Sequence, residues 1–229
     1  DGEWGEPINI SEQIKSGGHC SSVFLSANGT HLLLMKDEFY DGNIYESKFI
    51  NGIWTSIKKL SKNVNSKYWE MHACLTADEK NLYFSSNRKG GYGDFDIYKS
   101  ELDTSGEWGV AVNLGPTINS KYNDDTPFIS DDGNTMYFSS EGHYNMGGFD
   151  IFYSQKLKNG KWSTPLNLGY PINNCDDNLF LSPVSRGEFT YFAYHPKGST
   201  VENDIYVMKI LIPENPYEFE IKGNVSLLG

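Results

Sequence analysis

The amino-acid sequence predicts an all-β protein, a β-propeller built from four-stranded antiparallel blades. Three observations support this prediction. One sequence motif recurs, as "GGYGDFDIYKS" at 90–100, "NMGGFDIFYSQ" at 145–155 and, in a divergent copy, "VENDIYVMK" at 201–209. Tryptophans recur at a nearly constant interval, and each interval holds four short apolar runs separated by turn residues. No amphipathic helical pattern interrupts these runs.

The tryptophan interval divides the chain into repeats. Trp4 and Trp54 are 50 residues apart, and Trp108 and Trp162 follow at steps of 54. A single meander buries only one face of its sheet, whereas stacking against the next blade buries both faces. We therefore expect a propeller over residues 1–211, with repeats at about 1–66, 67–120, 121–174 and 175–211.

Four strands follow in order within each repeat. The first is of the "PFIS" type, and the turn "DDGN" after it supplies the positive φ that a two-residue hairpin needs. The second strand, "TMYFSS", places one aromatic side chain on each face of the sheet. A glycine-rich loop leads to the third strand, "FDIFYS", and the turn "LKNGK" leads to the fourth, "WSTPLNLG". The aromatic pairs are Tyr83 and Phe84, Tyr137 and Phe138, and Tyr191 and Phe192.

Two other positions of the repeat are interpreted as structural. The fourth-strand tryptophans cover the blade edges; they are Trp4, Trp54, Trp108 and Trp162. The residue that opens each third strand caps a turn, because a short polar side chain hydrogen-bonds to nearby backbone N–H groups. These residues are Asp96, Asp150 and Asp204, with Asn43 in the first repeat.

Ring closure is open between two arrangements. The last repeat lacks a fourth strand, and a lone fourth strand containing Trp4 precedes the first repeat. Either this strand completes the last blade and closes a four-bladed ring, or a further blade precedes Asp1 and the ring has five or more blades.

The acidic composition argues against some classes of partner. The net charge is -11 and the isoelectric point is about 4.9. We expect no nucleic-acid partner, because phosphate binding requires clustered Lys and Arg. We expect no direct membrane insertion, because no run approaches the roughly 20 apolar residues of a membrane helix. Cysteines 20, 74 and 175 and the five histidines follow no metal-ligand spacing, so we expect reduced thiols and no metal or other cofactor.

The stretch "PFISDDGNTMYFSS…GGFDIFYS…GKWSTPLNLGYPIN" resembles the WD40-like, TolB-type propeller repeat of Bacteroidetes envelope proteins of the OmpA family. The resemblance covers residues 1 to about 211. The tail "YEFEIKGNVSLLG" looks like the start of the carboxypeptidase-regulatory-like β-sandwich that follows the propeller in this family, so 212–229 is interpreted as linker and sandwich edge. The resemblance implies a periplasmic, outer-membrane-associated protein of type IX secretion or a related envelope assembly. Its peptidoglycan anchor would be a further domain outside this sequence.

Acids at the start of the first strands form one candidate site. Glu70, Asp124 and Asp176 are aligned at one register, with Cys20 in the first repeat, and first strands line the channel of a propeller. Such carboxylates could hold Ca²⁺ or act on a glycan. Alternatively, they belong to the repeat and hydrogen-bond to the neighbouring blade. Equivalent acids in successive blades favour the second interpretation, because a catalytic pair should differ between blades.

The loops between second and third strands form the other candidate site. They vary most between repeats, gather on one face and carry aromatic and charged residues, as binding surfaces do. The candidate partner-binding residues are Tyr40, Arg88, Tyr92, His143, Tyr144 and His195. We therefore expect a non-enzymatic scaffold that docks envelope proteins and has no catalytic residues. The alternative is a carbohydrate-binding or glycoside-cleaving propeller that uses the channel acids.

Overall fold

A computed structural model describes residues 5–38, 41–184, 189–194 and 204–209 of the chain. These residues form four antiparallel blades arranged as a four-bladed propeller, which confirms the predicted fold class. Within the described part, helix is limited to the four residues of α1 (Ser11–Ile14), which precede the first blade. Trp4, Tyr40, His195 and the predicted second domain at 212–229 lie outside the described residues.

Each blade is a meander in which strands pair antiparallel in chain order, except that the last short strand of the first blade pairs with its third strand. In the first blade, β1 to β5 are Cys20–Leu25, His31–Glu38, Asp41–Ile50, Ile53–Trp54 and Lys58–Lys59. In the second, β6 to β9 are Glu70–Leu75, Asn81–Ser86, Asp96–Glu101 and Val112–Asn113. In the third, β10 to β13 are Asp124–Ile129, Thr135–Ser140, Asp150–Gln155 and Leu166–Asn167. In the fourth, β14 to β16 are Leu179–Val184, Phe189–Tyr194 and Asp204–Lys209.

The core consists of apolar layers between neighbouring blades. Phe84 packs in the layer between the first and second blades, together with Ile44, and its chain neighbour Tyr83 packs in the next layer, against Met136 and Phe138 of the third blade. The prediction that an aromatic pair places one ring on each face of the second strand is thereby confirmed for Tyr83 and Phe84 on β7. A blade in this position is buried on both sides, so its second strand needs two apolar faces.

The first turn of the first three blades differs from the two-residue hairpin that was predicted. In the third blade, Ser130 N donates to Thr135 O (2.9 Å) across a four-residue loop in which Gly133 has a φ of 71°. The hydroxyl of Ser130 and the N–H of Asn134 both donate to Asp132 Oδ1, at 2.6 and 3.0 Å. The positive φ at glycine was predicted correctly. The loop length was wrong, because these side-chain hydrogen bonds stabilise the wider turn.

The fourth strand is shorter than predicted. In the third blade, Trp162 makes a single bridge to Lys156, and regular pairing resumes only at Leu166–Asn167. Between these points the hydroxyl of Ser154 donates to Ser163 O (2.6 Å), and Ser100 and Ser47 make the corresponding bonds in the other blades. A serine hydroxyl thus replaces part of the backbone ladder at the outer edge of each of these blades.

Asparagines in the linkers between blades hydrogen-bond to the backbone of the preceding blade, and we call these residues clips. The sequence analysis did not identify them. Asn119 precedes the third blade, yet its Oδ1 accepts from Ile97 N (2.8 Å) and its Nδ2 donates to Ile97 O (3.0 Å) in the second. Asn65 and Asn173 bind the backbone of Ile44 and Ile151 in the same way. Each side-chain amide therefore extends the pairing of a third strand and fixes the start of the next blade against it.

The outward face of the fourth blade is exposed. Ile205 in β16 is 81% exposed, whereas Ile97 and Ile151, at the equivalent positions, are 0% and 1% exposed. Residues 5–10 form no strand, so the described residues show no strand exchange between the N-terminal segment and β16.

A histidine joins the first blade to the second. His31 is 4% exposed, and its Nδ1 and Nε2 lie 2.9 Å from Glu79 Oε2 and 3.2 Å from Glu46 Oε2. Burial would lower the pKa of His31, but the hydrogen bonds and charges of both carboxylates outweigh burial, so the pKa is raised. The imidazolium therefore bridges one carboxylate of its own blade and one of the next.

The Asn119→Ala variant tests the clips. It leaves the N–H of Ile97 buried without its partner, so we expect a loss of about 2–4 kcal/mol in the free energy of unfolding measured with urea. Asn159→Ala is the control, because Asn159 lies in an exposed turn, and its loss should be under about 1 kcal/mol. Equal losses in the two variants would show that the clips add nothing specific.

The His31→Gln variant tests the bridge between the first two blades. Because the folded pKa of His31 is raised, its stabilisation is complete below the unfolded pKa of about 6.5 and is lost as pH rises through the folded value. We expect the free energy of unfolding of the wild type to exceed that of the variant by about 1–2 kcal/mol near pH 6, and this difference to shrink toward pH 9. The exposed His19→Gln control should show no such trend. A difference that grows with pH would contradict this assignment.

Candidate functional site

The upper face of the propeller comprises the loops 87–95 and 141–149 and the linkers 115–123 and 169–177. Each loop is closed by the aspartate that opens the following strand. Asp96 accepts from the N–H groups of Tyr92 (2.6 Å) and Gly93 (3.0 Å), and Asp150 accepts from Met146 N. Asn113 and Asn167 bind the same two carboxylates from the fourth strands, at 2.8 and 2.7 Å. The loop backbone is therefore fixed from two sides.

These loops are also fixed to the next blade. Asp124 N donates to Phe95 O (2.8 Å), and Phe95 N donates to Asn123 Oδ1 (3.1 Å). Gly93 lies so close to the linker that an added Cβ would be 1.8 Å from the carbonyl oxygen of Tyr122. Only glycine allows this approach of two backbones. The loop of the second blade and the linker to the third thus form one packed surface.

Arg88 and His143, which were predicted to bind a partner, turn inward instead. Their side chains are only 16% and 19% exposed. Arg88 Nη2 donates to Glu70 Oε1 (2.9 Å) and to Val64 O, and the guanidinium lies 4.8 Å from the ring centroid of Tyr98. His143 is its counterpart in the third blade, where its Nε2 binds Ile118 O (2.8 Å) and its ring packs against Phe138 and Phe152. Both side chains support the loops from below.

Two of the three predicted channel acids, Glu70 and Asp124, lie within the protein and away from the channel. Glu70 and Asp124 are both 0% exposed. Glu70 accepts from Ser66 N (2.8 Å), Ser66 Oγ (2.7 Å) and Ser86 Oγ (2.8 Å), in addition to Arg88. Asp124 accepts from Ser120 N in the corresponding arrangement. Enclosed carboxylates of this kind fix the start of a first strand and cannot reach a glycan.

The alignment of Asp176 with these acids was wrong. Asn178 occupies the equivalent position, is 2% exposed and accepts from Asn174 N (2.8 Å), whereas Asp176 is exposed. The neighbouring Asp177 accepts from Phe149 N (2.9 Å) and ties the loop 141–149 to the fourth blade. An amide can accept the same backbone hydrogen bond as a carboxylate, so the fold does not require an acid here.

Asp124 and Glu70 differ in how their charge is compensated. Arg88 reaches Glu70, but His143 Nε2 remains 3.9 Å from Asp124 Oδ1, and that oxygen has no hydrogen-bond partner in the described part of the chain. Burial raises the pKa of Asp124 to about 6, although the hydrogen bonds of Ser140 and Ser120 and the charge of His143 oppose the shift.

Exposed tyrosines cover the upper face. Tyr92 and Tyr144, both predicted partner-binding residues, are 52% and 98% exposed, and Tyr122 on the linker between them is 49% exposed. Tyr122 lies between the two loops, because its backbone contacts Gly93 and its ring approaches Gly142. Three aromatic side chains are thus presented on contiguous, fixed backbone. The sequence analysis missed Tyr122 because it considered loops within blades and not the linkers between them.

The innermost strands β1, β6, β10 and β14 surround the channel, which holds one polar pair. His72 Nδ1 lies 2.8 Å from Asp125 Oδ1 and joins the second blade to the third. Burial would raise the pKa of Asp125, but the charge and hydrogen bond of His72 outweigh burial, and the pKa is lowered. No group of His, Cys, Asp and Glu in the described ranges is arranged to hold a metal ion. The same residues include no helix that could span a membrane.

Comparison with known proteins identifies the fold alone. No known family profile and no curated protein sequence matches the chain. The structure is similar to TolB from Acinetobacter baumannii (TM-score 0.52, 16% identity, 81% of this chain and 39% of that one). It is also similar to a TolB-type protein from Agrobacterium tumefaciens (TM-score 0.53, 19% identity, 81% of this chain and 60% of that one). The chain therefore spans less than two thirds of either protein and has a TolB-like β-propeller fold.

The Asp124→Asn variant tests the uncompensated carboxylate. Because the folded pKa is raised to about 6, the contribution of Asp124 to stability is present below its unfolded pKa, near 3.9, and is lost as pH rises through 6. In urea unfolding, we expect the free energy of unfolding of the wild type to fall by about 2–3 kcal/mol relative to that of the variant between about pH 4.5 and pH 8. Exposed Asp176→Asn, the control, should show no such shift. A wild type whose stability rises relative to that of the variant as the pH increases would refute the assignment.

Proposed function

We propose that this propeller is a non-enzymatic scaffold of the periplasm that docks envelope proteins on its upper face. The larger protein would be associated with the outer membrane and anchored to peptidoglycan by another domain. The repeat motifs, which resemble those of the OmpA family and of the type IX secretion protein PorE, suggest an envelope assembly as the setting. The TolB-like fold is consistent with a periplasmic location.

The observation that carries this proposal is the set of tyrosines 92, 122 and 144 on fixed backbone. Tyrosine is enriched among residues that dominate binding energy, because its large rigid ring buries much area and its hydroxyl finds a partner. Binding is weakened by the entropy lost when mobile loops become ordered. Here the loops are already held by Asp96, Asp150 and the linkers, so little ordering is left for the partner to impose.

The opposite end of the propeller has a different character. Its turns between first and second strands are built from short polar residues that hydrogen-bond to their own backbone, at positions 26–30, 76–80 and 130–134. Such turns satisfy their own polar groups and offer few aromatic anchors. The contrast between the two ends supports the upper face as the docking side.

Removal of the upper-face tyrosines tests the proposal. The tagged full-length protein would be expressed in its own cell, the envelope solubilised gently, and co-purified proteins quantified by mass spectrometry. We expect recovery of outer-membrane or secretion-system proteins to fall at least about tenfold in a triple variant, Tyr92→Ala, Tyr122→Ala and Tyr144→Ala, since each anchor contributes about 1 kcal/mol or more.

The matched control is Leu157→Ala, which removes an exposed apolar side chain from a turn at the opposite end. Its recovery should equal that of the wild type, and melting curves should show that all variants are folded. If the triple variant retained the same proteins at wild-type levels, the upper face would not be the docking side.

A further inference from the structure

The channel contains an apolar cavity of about 280 Å³, the smaller of two cavities that share lining residues along it. Phe24, Phe128, Phe180 and Leu181 form much of its wall, and His72 and Thr126 supply the polar groups. The cavity continues into a wider part of about 410 Å³ that opens between the turns at the lower end. An apolar cavity of about 150 Å³ is already sufficient to bind benzene, so a substituted ring fits here.

His72 presents one unused nitrogen to this cavity. Its Nδ1 faces Asp125 Oδ1 at 2.8 Å, and its Nε2 has no hydrogen-bond partner within the described part of the chain. Phe180, from the fourth blade, meets the imidazole edge-on at 4.9 Å between ring centroids. The charged imidazole that lowers the pKa of Asp125 carries an N–H at both ring nitrogens, so Nδ1 donates to Asp125 and the N–H of Nε2 is left to donate to a ligand oxygen.

The charges around the channel disfavour an anionic ligand. Asp125 lies directly behind His72, and Glu79 and Asp131 line the wider part. The whole chain carries a net charge of -11. A carboxylate or phosphate would be repelled by these groups, whereas a neutral hydroxyl can accept from Nε2 without bringing negative charge into the cavity.

The backbone around the cavity is strained. Thr126 and Phe180 have positive φ values of 49° and 62°, which side chains of these types rarely adopt. Each lies where an irregularity shifts the register of an innermost strand, between Asp125 and Phe128 in β10 and between Leu179 and Ser182 in β14. Strained residues and bulges concentrate at ligand sites, because they aim a side chain that a regular strand would place elsewhere.

We propose that the smaller cavity of the channel binds a hydroxylated aromatic ring. The ring packs against Phe24, Phe128 and Phe180, and its hydroxyl oxygen accepts a hydrogen bond from Nε2 of His72. The same chemistry is offered by a free phenol and by the side chain of a tyrosine in a peptide. This site is independent of the docking surface on the upper face.

Binding of matched probes to the full chain tests the proposal. 4-Ethylphenol and ethylbenzene have nearly the same shape and differ by one hydroxyl. We expect 4-ethylphenol to bind about tenfold more tightly in calorimetric or NMR titrations, the factor that one hydrogen bond supplies. N-Acetyl-tyrosine amide and a short tyrosine-containing peptide distinguish the two sources of the ligand, since only a peptide-binding channel accepts the peptide as well as the free phenol.

The His72→Leu variant should bind both probes equally, and the exposed His19→Leu control should keep the tenfold preference. Because His72→Leu leaves Asp125 without its partner, the variant could fail to fold, and a second measurement uses the unmodified protein. In ¹⁵N-histidine-labelled protein, 4-ethylphenol should shift the Nε2 resonance of His72 and leave the other four histidines unchanged. Equal binding of the two probes by the wild type, or no shift at His72, would overturn the proposal.

Discussion

The fold depends on one constraint: the facing sides of adjoining blades must cover each other. The third strands show this most clearly, because Ile44, Ile97 and Ile151 are at most 1% exposed and each is covered by the blade that follows. Apolar burial alone does not fix the angle between blades, since it has no direction. Direction comes from the polar contacts at the same junctions, namely the asparagine clips and the buried carboxylates at the start of the first strands.

The repeat made the fold predictable, because aromatic, turn and tryptophan positions return at one interval and each reports a local requirement. The same interval also contained the clips at Asn65, Asn119 and Asn173, but an asparagine beside a glycine-rich linker resembles an ordinary turn residue. The error at Asp176 arose because the sequence of the fourth repeat is divergent and carries two acids next to Asn178.

The equivalent roles of Arg88 and His143 could not be predicted, since the two residues differ in type and in position within the loop. Only their shared contacts, with a buried acid, a linker carbonyl and two aromatic rings, reveal it.

The same junctions connect fold to function. Hydrogen bonds that hold one blade to the next also hold the upper-face loops, so the tyrosines are carried by backbone that is fixed to the neighbouring blade. The channel is a product of the same arrangement, because His72 and Asp125 come from adjacent blades and Phe180 from a third. A surface for a protein and a cavity for a small ring can therefore share one rigid frame without sharing residues.

Hydrogen–deuterium exchange of the upper-face loops tests the central claim, which is that their backbone is fixed before any partner binds. The amides of Tyr92 and Met146 donate to the buried carboxylates of Asp96 and Asp150, whereas the amide of Ser105 donates to the exposed carboxylate of Asp103 in a turn that is open to water. The account predicts that the two loop amides exchange as slowly as amides within the strands and far more slowly than Ser105. Exchange of Tyr92 and Met146 at the rate of the exposed turn would contradict it, because the docking surface would then be mobile.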